Sequence, residues 1–352
     1  MKRRARLQDI ARELDISVAT VSRALSGYPH VDELTRRRVL NVAQQIGYQP
    51  NELARALRNE RTMLVGLVLP DIRSDFFASA ASILQTELEG AGYRVLLGIS
   101  RDDPEVDREY LLALLGHHVA GIVHVPCTPE GAQAVREIDA TIPIIELNRH
   151  SKAKIFDTFT ANDREGGYEL GRHLLGLGHE HAAIITGSPQ LSTTTERVRG
   201  FRHALVEAGM PSPPVLYGTY TQAWGHEAFA KLMSARTPPS ALFVTSNQLV
   251  AGALAAAADL GVTIPDELSL VGFDEVYWYS ICSPTITTYS LPLEQLGMMA
   301  AQMLLRRMEA ERAREPQPPP VRCRLAGQLI VRGSAGPVAT RRRTRATPAR
   351  AR

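Results

Sequence analysis

The run Ser17-Val18-Ala19-Thr20-Val21-Ser22-Arg23 carries side chains suited to reading the edge of a DNA base pair. Ser17 is a good helix N-cap, and the small side chains behind it let a helix N-terminus enter a major groove. Ile16, Val21 and Leu25 fall on one side, toward Ile10, Ala11 and Leu14, so Val18, Ala19, Ser22 and Arg23 face outward. An outward Val beside an Ala is otherwise odd, but it matches contact with a thymine methyl, and an arginine donates two hydrogen bonds to guanine. A supporting helix, a tight turn at Asp15-Ile16 and a short second helix are what a helix-turn-helix requires. The bland alternatives are a surface arginine at 23 and filler at 18 and 19.

Other chemistry is poorly represented. There is no G-x-G-x-x-G, no phosphate-cradling Gly-Lys-Ser/Thr loop, no G-x-S-x-G and no H-E-x-x-H, so neither an enzyme nor a cofactor is expected. His179-Glu180-His181 places two histidines at i and i+2, which do not share a helix face; a loop beside a strand is the better reading than a metal site. Cys127, Cys282 and Cys323 are far apart with no C-x-x-C, which excludes a zinc ribbon and a thioredoxin-type redox site.

The elements that position the reading helix come next. Leu7, Ile10, Ala11 and Leu14 follow an i, i+3, i+4, i+7 pattern. A second helix begins after Ser17 and is broken by Gly27 and Pro29; a third starts near Asp32, turns Val39, Val42, Ala43 and Ile46 to one face and stops at Gly47. Residues 51–61 (NELARALRNER) have helical propensity over only two turns, so this linker needs a partner surface to order itself. Beyond 62, apolar runs (Met63–Leu69, Val95–Ile99, Gly121–Val125, Ile144–Leu147, Ala182–Thr186, Leu242–Thr245, Leu268–Gly272) alternate with helical stretches such as Ala78–Gly90, Glu165–Leu177, Glu196–Ala208 and Gln248–Leu260. That alternation predicts an α/β fold with a parallel sheet covered on both faces. The stretch is too long for one small doubly wound sheet, so two lobes with a cleft between them are expected. Gln317–Pro320 reads as a stiff loop, and 337–352 lack apolar periodicity and are expected to be disordered.

At 352 residues with 44% apolar and 22% charged side chains, the chain has enough material for a large core and two or three domains. Its net charge of +3 conceals a split: residues 1–61 carry +5, residues 332–352 carry +7, and the remainder carries −9. A basic head and tail point to a polyanion partner, and the acidic body to something else. The tail arginines 341–343 are read chiefly as solvated, with non-specific phosphate attraction as the alternative. No apolar run reaches membrane-spanning length, and the N-terminus lacks a secretory apolar stretch, so a cytoplasmic protein without membrane contact is expected.

Leu7-Gln8-Asp9-Ile10-Ala11 followed by Ile16-Ser17-Val18-Ala19-Thr20-Val21-Ser22-Arg23-Ala24-Leu25 resembles the opening of the lactose/galactose repressor (LacI/GalR) family of bacterial transcription regulators. So does Gly47-Tyr48-Gln49-Pro50-Asn51. The resemblance continues through Val65-Gly66-Leu67-Val68, the stretch Ile264 to Asp274, and Pro284-Thr285-Ile286-Thr287-Thr288, covering roughly residues 5–335. One departure is Asp15, where the family usually has Gly; Asp tolerates left-handed geometry, so only a small cost is expected.

The resemblance implies a three-helix helix-turn-helix headpiece (1–50), a hinge (51–61), two doubly wound, periplasmic-binding-protein-like lobes (62–335) and a basic tail (336–352). The first lobe spans about 62–160 and 292–325, the second about 161–291 and 326–335. It implies a homodimer on a pseudo-palindromic operator. Val18 and Ala19 then occupy base-choosing positions and Arg23 a guanine-reading one; the Val-Ala pair resembles the galactose-repressor type, with half-sites meeting at a central C-G step. Ser17 caps this reading helix. Thr20, Ser22, His30 and Asn51 match positions contacting DNA, mostly its backbone; Leu57 matches a minor-groove wedge, with Ala54 packed in the same groove.

For the cleft, the resemblance implies a small-molecule effector, a carbohydrate in the first instance, since sugars take aromatic plates and charged forks. Arg197 matches a ligand-binding arginine and Asp274 a ligand-binding carboxylate; Tyr220 is a stacking aromatic; Asp75, Phe76 and Phe77 resemble a cleft-lining loop; Asn148 and Ser246 are further lining positions. Asn148 and Ser246-Asn247 each lack a carboxylate common in the family, leaving Arg197 less neutralised and favouring an acidic or phosphorylated sugar. The plain alternatives are an ion-paired Arg197 at the lobe junction, a turn role for Asp274 and edge packing for Tyr220. Trp224 and Trp278 are read no higher than core.

The function expected is therefore a repressor of carbohydrate-utilisation genes whose operator binding a small molecule controls. The alternatives are an activator or a regulator answering to a protein partner, and, less favoured, a sugar receptor without DNA binding.

Overall fold

The computed structural model describes residues 5–25, 28, 30–48, 62–139 and 141–338. The chain divides into two units, Met1–Thr62 and Met63–Arg352.

In the first unit, apolar side chains at helical spacing form α1 (Leu7–Leu14), α2 (Val18–Leu25) and α3 (Glu33–Gln45). The Asp9 side chain accepts from the Arg6 N–H at 2.8 Å at the start of α1. Asp15 ends α1 in the left-handed region (φ 53°, ψ 46°). Ser17 Oγ accepts from Thr20 N–H at 3.0 Å and opens α2, and Asp32 does the same for α3 through Thr35 N–H at 3.0 Å. Ile10, Ala11, Val21, Ala24, Val39 and Ala43 make a small buried core, with Leu14, Ile16 and Leu25 half-buried against it.

The second unit contains two six-stranded sheets. The first takes β1 (Leu64–Leu69), β2 (Arg94–Ile99), β3 (Gly121–His124), β4 (Ile144–Leu147), β5 (Asp157–Ala161) and β11 (Arg322–Leu325), in the order β11-β5-β4-β3-β1-β2. All its pairings are parallel. The second takes β6 (Ala182–Thr186), β7 (Val215–Tyr217), β8 (Ala241–Val244), β9 (Ser269–Phe273), β10 (Thr287–Ser290) and β12 (Gln328–Ile330), in the order β12-β10-β9-β8-β6-β7. Here β12 runs antiparallel to β10, so this sheet is parallel except at one edge. The strands β1, β3, β4, β6, β8 and β9 are near-continuous Val/Ile/Leu/Phe/Ala runs buried on both faces, the signature of a sheet covered by helices.

Helices α4 (Asp75–Gly90), α5 (Pro104–Gly116), α6 (Gln133–Ile138) and α11 (Leu293–Ala313) belong to the first sheet; α7 (Asp163–Gly176), α8 (Ser192–Glu207), α9 (Gln222–Met233) and α10 (Asn247–Leu260) belong to the second. The chain passes from one lobe to the other three times: between β5 and α7, between β10 and α11, and between β11 and β12. Five strands do not stand out in the sequence: β7 and β12 are only three residues long, and β5, β10 and β11 carry too few aliphatic residues. Thr, which is β-branched, supplies much of β5 and β10.

One expectation is corrected at the C-terminus. Residues 336–338 are ordered, not tail: Gly336 O accepts from His179 Nε2 at 3.0 Å, Gly336 N–H donates to Ser269 Oγ at 3.0 Å, and Val338 N–H donates to Leu177 O at 2.9 Å. Those bonds satisfy backbone groups beside the end of α7 and bury His179, whose Nδ1 lies 3.0 Å from Ser240 Oγ. His179 is thus a structural histidine in a loop before β6.

Candidate functional site

Two sites take shape, one in each unit. In the headpiece, the Ser17 cap and the buried Val21 and Ala24 fix the roll of α2, because side chains three and four residues apart share a face. The opposite face presents Ser17, Val18, Ala19 and Arg23 to solvent, with Val18 42% exposed. A branched apolar side chain so exposed at a helix N-terminus gains little unless something covers it. Thr20 is half-buried and its hydroxyl lies 2.8 Å from Ser17 Oγ; Ser22 is also half-buried rather than fully outward. His30 is exposed beside Tyr28 (ring centroids 5.6 Å apart), and Arg36 Nη2 donates to Tyr28 O at 2.8 Å. Asn51, Ala54 and Leu57 lie outside the described residues.

The second site is a cavity of about 770 Å³ between the two lobes, at the carboxyl ends of their strands. Asn148 and Asp274 follow directly on β4 and β9, and both are left-handed (φ 62° and 69°). Non-glycine residues seldom take that conformation, and here it turns two polar side chains into the cleft. Arg197 reaches the cavity from α8. Its Nε donates to Asp163 Oδ1 at 2.7 Å, its Nη1 to Thr245 O at 2.6 Å and its Nη2 to Asp274 Oδ1 at 3.4 Å. The guanidinium carbon stands 3.9 Å from the centre of the Phe273 ring. A close approach of α7 to α8 allows this: a Cβ at Gly167 would strike the Arg197 carbonyl oxygen, and one at Gly200 the Arg164 carbonyl oxygen.

Burial drives the electrostatics. It pushes the Asp274 carboxyl up to about 6, against the downward pull of Arg197 and with a further upward push from Asp163. Asp163 is raised for the same first reason. Arg197 keeps its charge despite burial because these two carboxylates flank it. The expectation that Arg197 is under-neutralised is therefore corrected. Position 163 supplies a carboxylate that 148 and 247 do not.

Tyr220 lines the cavity with its hydroxyl 2.8 Å from Thr194 Oγ1 and its ring lying over Gly187, where a Cβ would collide with it. Phe76 and Phe77, packed edge to face at 5.2 Å, line the opposite lobe. Ser246 lines the cavity while its Oγ accepts from Leu249 N–H at 3.4 Å, capping α10. Asp75 is the exception: it is exposed in the first turn of α4 and lies outside the cavity wall, because the helical turn aims it away from Phe76 and Phe77. Trp224 and Trp278 pack in the second lobe's core.

Several lining residues carry no signal in the sequence. Arg149 is 3% exposed, paired with Asp102, and has the Tyr220 and Phe77 ring centres 5.8 and 6.0 Å from its guanidinium. Gln248 Nε2 donates to Arg73 O at 2.8 Å and Ser74 Oγ to Asn247 Oδ1 at 3.2 Å, both bridging the lobes. Asn148 Oδ1, Arg149 Nε and Asn247 Nδ2 are buried and make no hydrogen bond within the protein. Cys127 also lines the cavity, but burial first, then Asp107 and Asp102, push its thiol up to about 12, far from a nucleophilic thiolate. Among the described residues no group of three or more His, Cys, Asp or Glu side chains is placed to hold a metal ion, and no helix is long and apolar enough to cross a membrane.

Comparison with known proteins joins the two sites. Residues 6–51 match the model for bacterial regulatory proteins of the lacI family, and 172–335 match the periplasmic binding protein-like domain. The HTH-type transcriptional regulator DegA of Bacillus subtilis is 30% identical over 339 residues, 95% of this chain and 99% of DegA. The chain belongs to the LacI family. It is accordingly a DNA-binding transcription regulator and not an enzyme. The fold agrees with that of the Lac repressor dimer bound to operator and an anti-inducer (TM-score 0.81, 21% identity, 95% of this chain and 100% of that one). The CelR–cellobiose complex is also similar (TM-score 0.70, 25% identity, 94% of this chain and 100% of that one).

Proposed function

We propose that this LacI-family regulator is a cytoplasmic homodimeric repressor of carbohydrate-utilisation genes, controlled by a neutral sugar or sugar derivative bound between the lobes. The observation that carries the reading is the cleft's chemistry. The aromatic side chains Tyr220 and Phe77 share the cavity wall with the polar side chains Asn148, Thr221, Ser246 and Asn247. A ring with several hydroxyls matches such a mixed wall, with apolar faces for its C–H surface and amide and hydroxyl groups for its hydroxyls. CelR supports the class of ligand, being a similar structure in complex with cellobiose.

On the DNA side, Val18 and Ala19 choose bases, Arg23 reads guanine, and Ser17, Thr20, Ser22, His30 and Asn51 hold the backbone. Residues 51–61 form the hinge, with Leu57 as the wedge at a central C-G step and Ala54 beside it. The effector acts by favouring one of two lobe arrangements, which differ in how they present the hinges of the dimer to DNA. Gel-shift titration of a selected operator with a sugar panel tests the reading. A change in operator affinity with one sugar, lost in Arg197→Ala or Asp274→Ala, supports it. Absence of any sugar response rejects the sensor half.

A further inference from the structure

The loop after β2 sets two consecutive non-glycine residues, Arg101 and Asp102, in left-handed backbone (φ 57° each). Strain of this kind persists only where surrounding contacts hold it. Here the contact is a two-pronged ion pair: Arg149 Nη1 meets Asp102 Oδ1, and Arg149 Nη2 donates to Asp102 Oδ2 at 3.2 Å. Arg149 Nη1 also points to Pro126 O at 3.5 Å. The guanidinium is buried, whereas the Asp102 side chain is 25% exposed, and Asp102 is the carboxylate that occupies its fork.

We propose that Asp102 sets the charge selectivity of the buried wall of the cleft, by occupying the fork of Arg149 and so excluding an anionic ligand group there. The inference rests on reading the cleft as the effector site. Four arginines line the cavity: Arg73 and Arg101 are exposed, whereas Arg149 and Arg197 are buried and each is matched by carboxylate, Arg149 by Asp102 and Arg197 by Asp163 and Asp274. A carboxylate or phosphate reaching the buried part of the wall would lose its hydration and find both buried forks already occupied. A neutral polyol keeps its choice of hydroxyl donors and acceptors and requires no free cation. Asp102 is thus a specificity residue that acts through Arg149, not by touching the ligand.

The test uses the full chain and inorganic sulfate, so it does not depend on knowing the sugar. Wild type, Asp102→Asn, Asp102→Glu and the double variant Asp102→Asn/Arg149→Met are titrated calorimetrically with sulfate, and melted in sulfate and in chloride at equal ionic strength. The expected result is that Asp102→Asn melts lower than wild type, binds sulfate at least tenfold more tightly, and recovers its melting temperature in sulfate but not chloride. Asp102→Glu keeps the charge and resembles wild type, and adding Arg149→Met abolishes the gain. Equal sulfate binding by wild type and Asp102→Asn, or a gain that survives Arg149→Met, overturns the proposal. If Asp102→Asn and Asp102→Ser both fail to fold while Asp102→Glu folds, Asp102 is only a structural counter-ion and the proposal is rejected. The sugar response is read separately, on operator DNA, so failure of the effector reading gives a different result.

Discussion

The Arg197 guanidinium lies 2.7 Å from Asp163 on α7 and 3.4 Å from Asp274 at the end of β9, so one buried cation ties together two elements of the second lobe. Removing it leaves two buried carboxylates without their counter-charge. Arg197→Met is expected to lower the stability of this unit by about 3–5 kcal/mol at neutral pH. The loss should shrink on acidification, as the carboxyls take up protons instead. Urea denaturation of both proteins at pH 7 and pH 5 checks this; a loss that does not change with pH contradicts it.

Asp274 makes a signed prediction of its own. Burial raises its folded-state value from the ordinary 3.8 to about 6. The folded protein therefore holds this proton more tightly than the unfolded chain. The resulting contribution to stability is full below 3.8 and is lost as the pH rises through about 6. Asp274→Asn removes the titration while keeping the shape. The stability of wild type relative to Asp274→Asn is expected to rise as the pH falls from 7 to 5. A flat difference across that window contradicts the assignment.

The α7–α8 contact is a packing prediction. Gly200→Ala drives a methyl into the Arg164 carbonyl oxygen, which a helix backbone cannot vacate without moving the helix. The expected cost is about 1–3 kcal/mol, with α8 displaced and the sugar response weakened because Arg197 moves with it. Operator affinity without sugar should be kept. Thermal melting and a gel shift with and without sugar separate these effects.

In the headpiece, Asp15 sits at φ 53°, where glycine carries no side-chain penalty. Asp15→Gly is expected to stabilise the headpiece by roughly 1 kcal/mol, and Asp15→Val to destabilise it by a similar amount. Arg23→Ala is expected to cost about 1–3 kcal/mol in operator binding and to relax base choice at one position. Competition of single-base operator variants against each protein checks the second claim; a uniform loss over all sequences assigns Arg23 to phosphate instead.

How much of this was legible depends on where the forces act. The headpiece core follows from local spacing, since Ile10, Val21 and Val39 recur on helical faces that only each other can cover. The aliphatic strands of both lobes are legible for the same reason. The ion pairs are not. Asp102 and Arg149 are 47 positions apart and Asp163 and Arg197 are 34 apart, and each pair is made by the crossing of distant strand ends and helices. A charged residue just after an apolar strand, as Arg149 stands after Ile144–Leu147, reads as a solvated turn until the cleft is seen to bury it. Asp75 fails in the opposite way: next to Phe76 and Phe77 in sequence, it is aimed elsewhere by the helical turn. Reading the absence of carboxylates at 148 and 247 as a deficit erred because a carboxylate from another element fills the same electrostatic need.

The most direct test of a sequence-reading headpiece governed by a sugar-filled cleft is selection of bound duplexes from a random pool, followed by titration of the selected site with a carbohydrate panel at physiological ionic strength. The expected result is a pseudo-palindrome centred on a C-G step, and a change in Kd of at least tenfold with one neutral sugar. A protein that prefers no duplex over random competitor would contradict it.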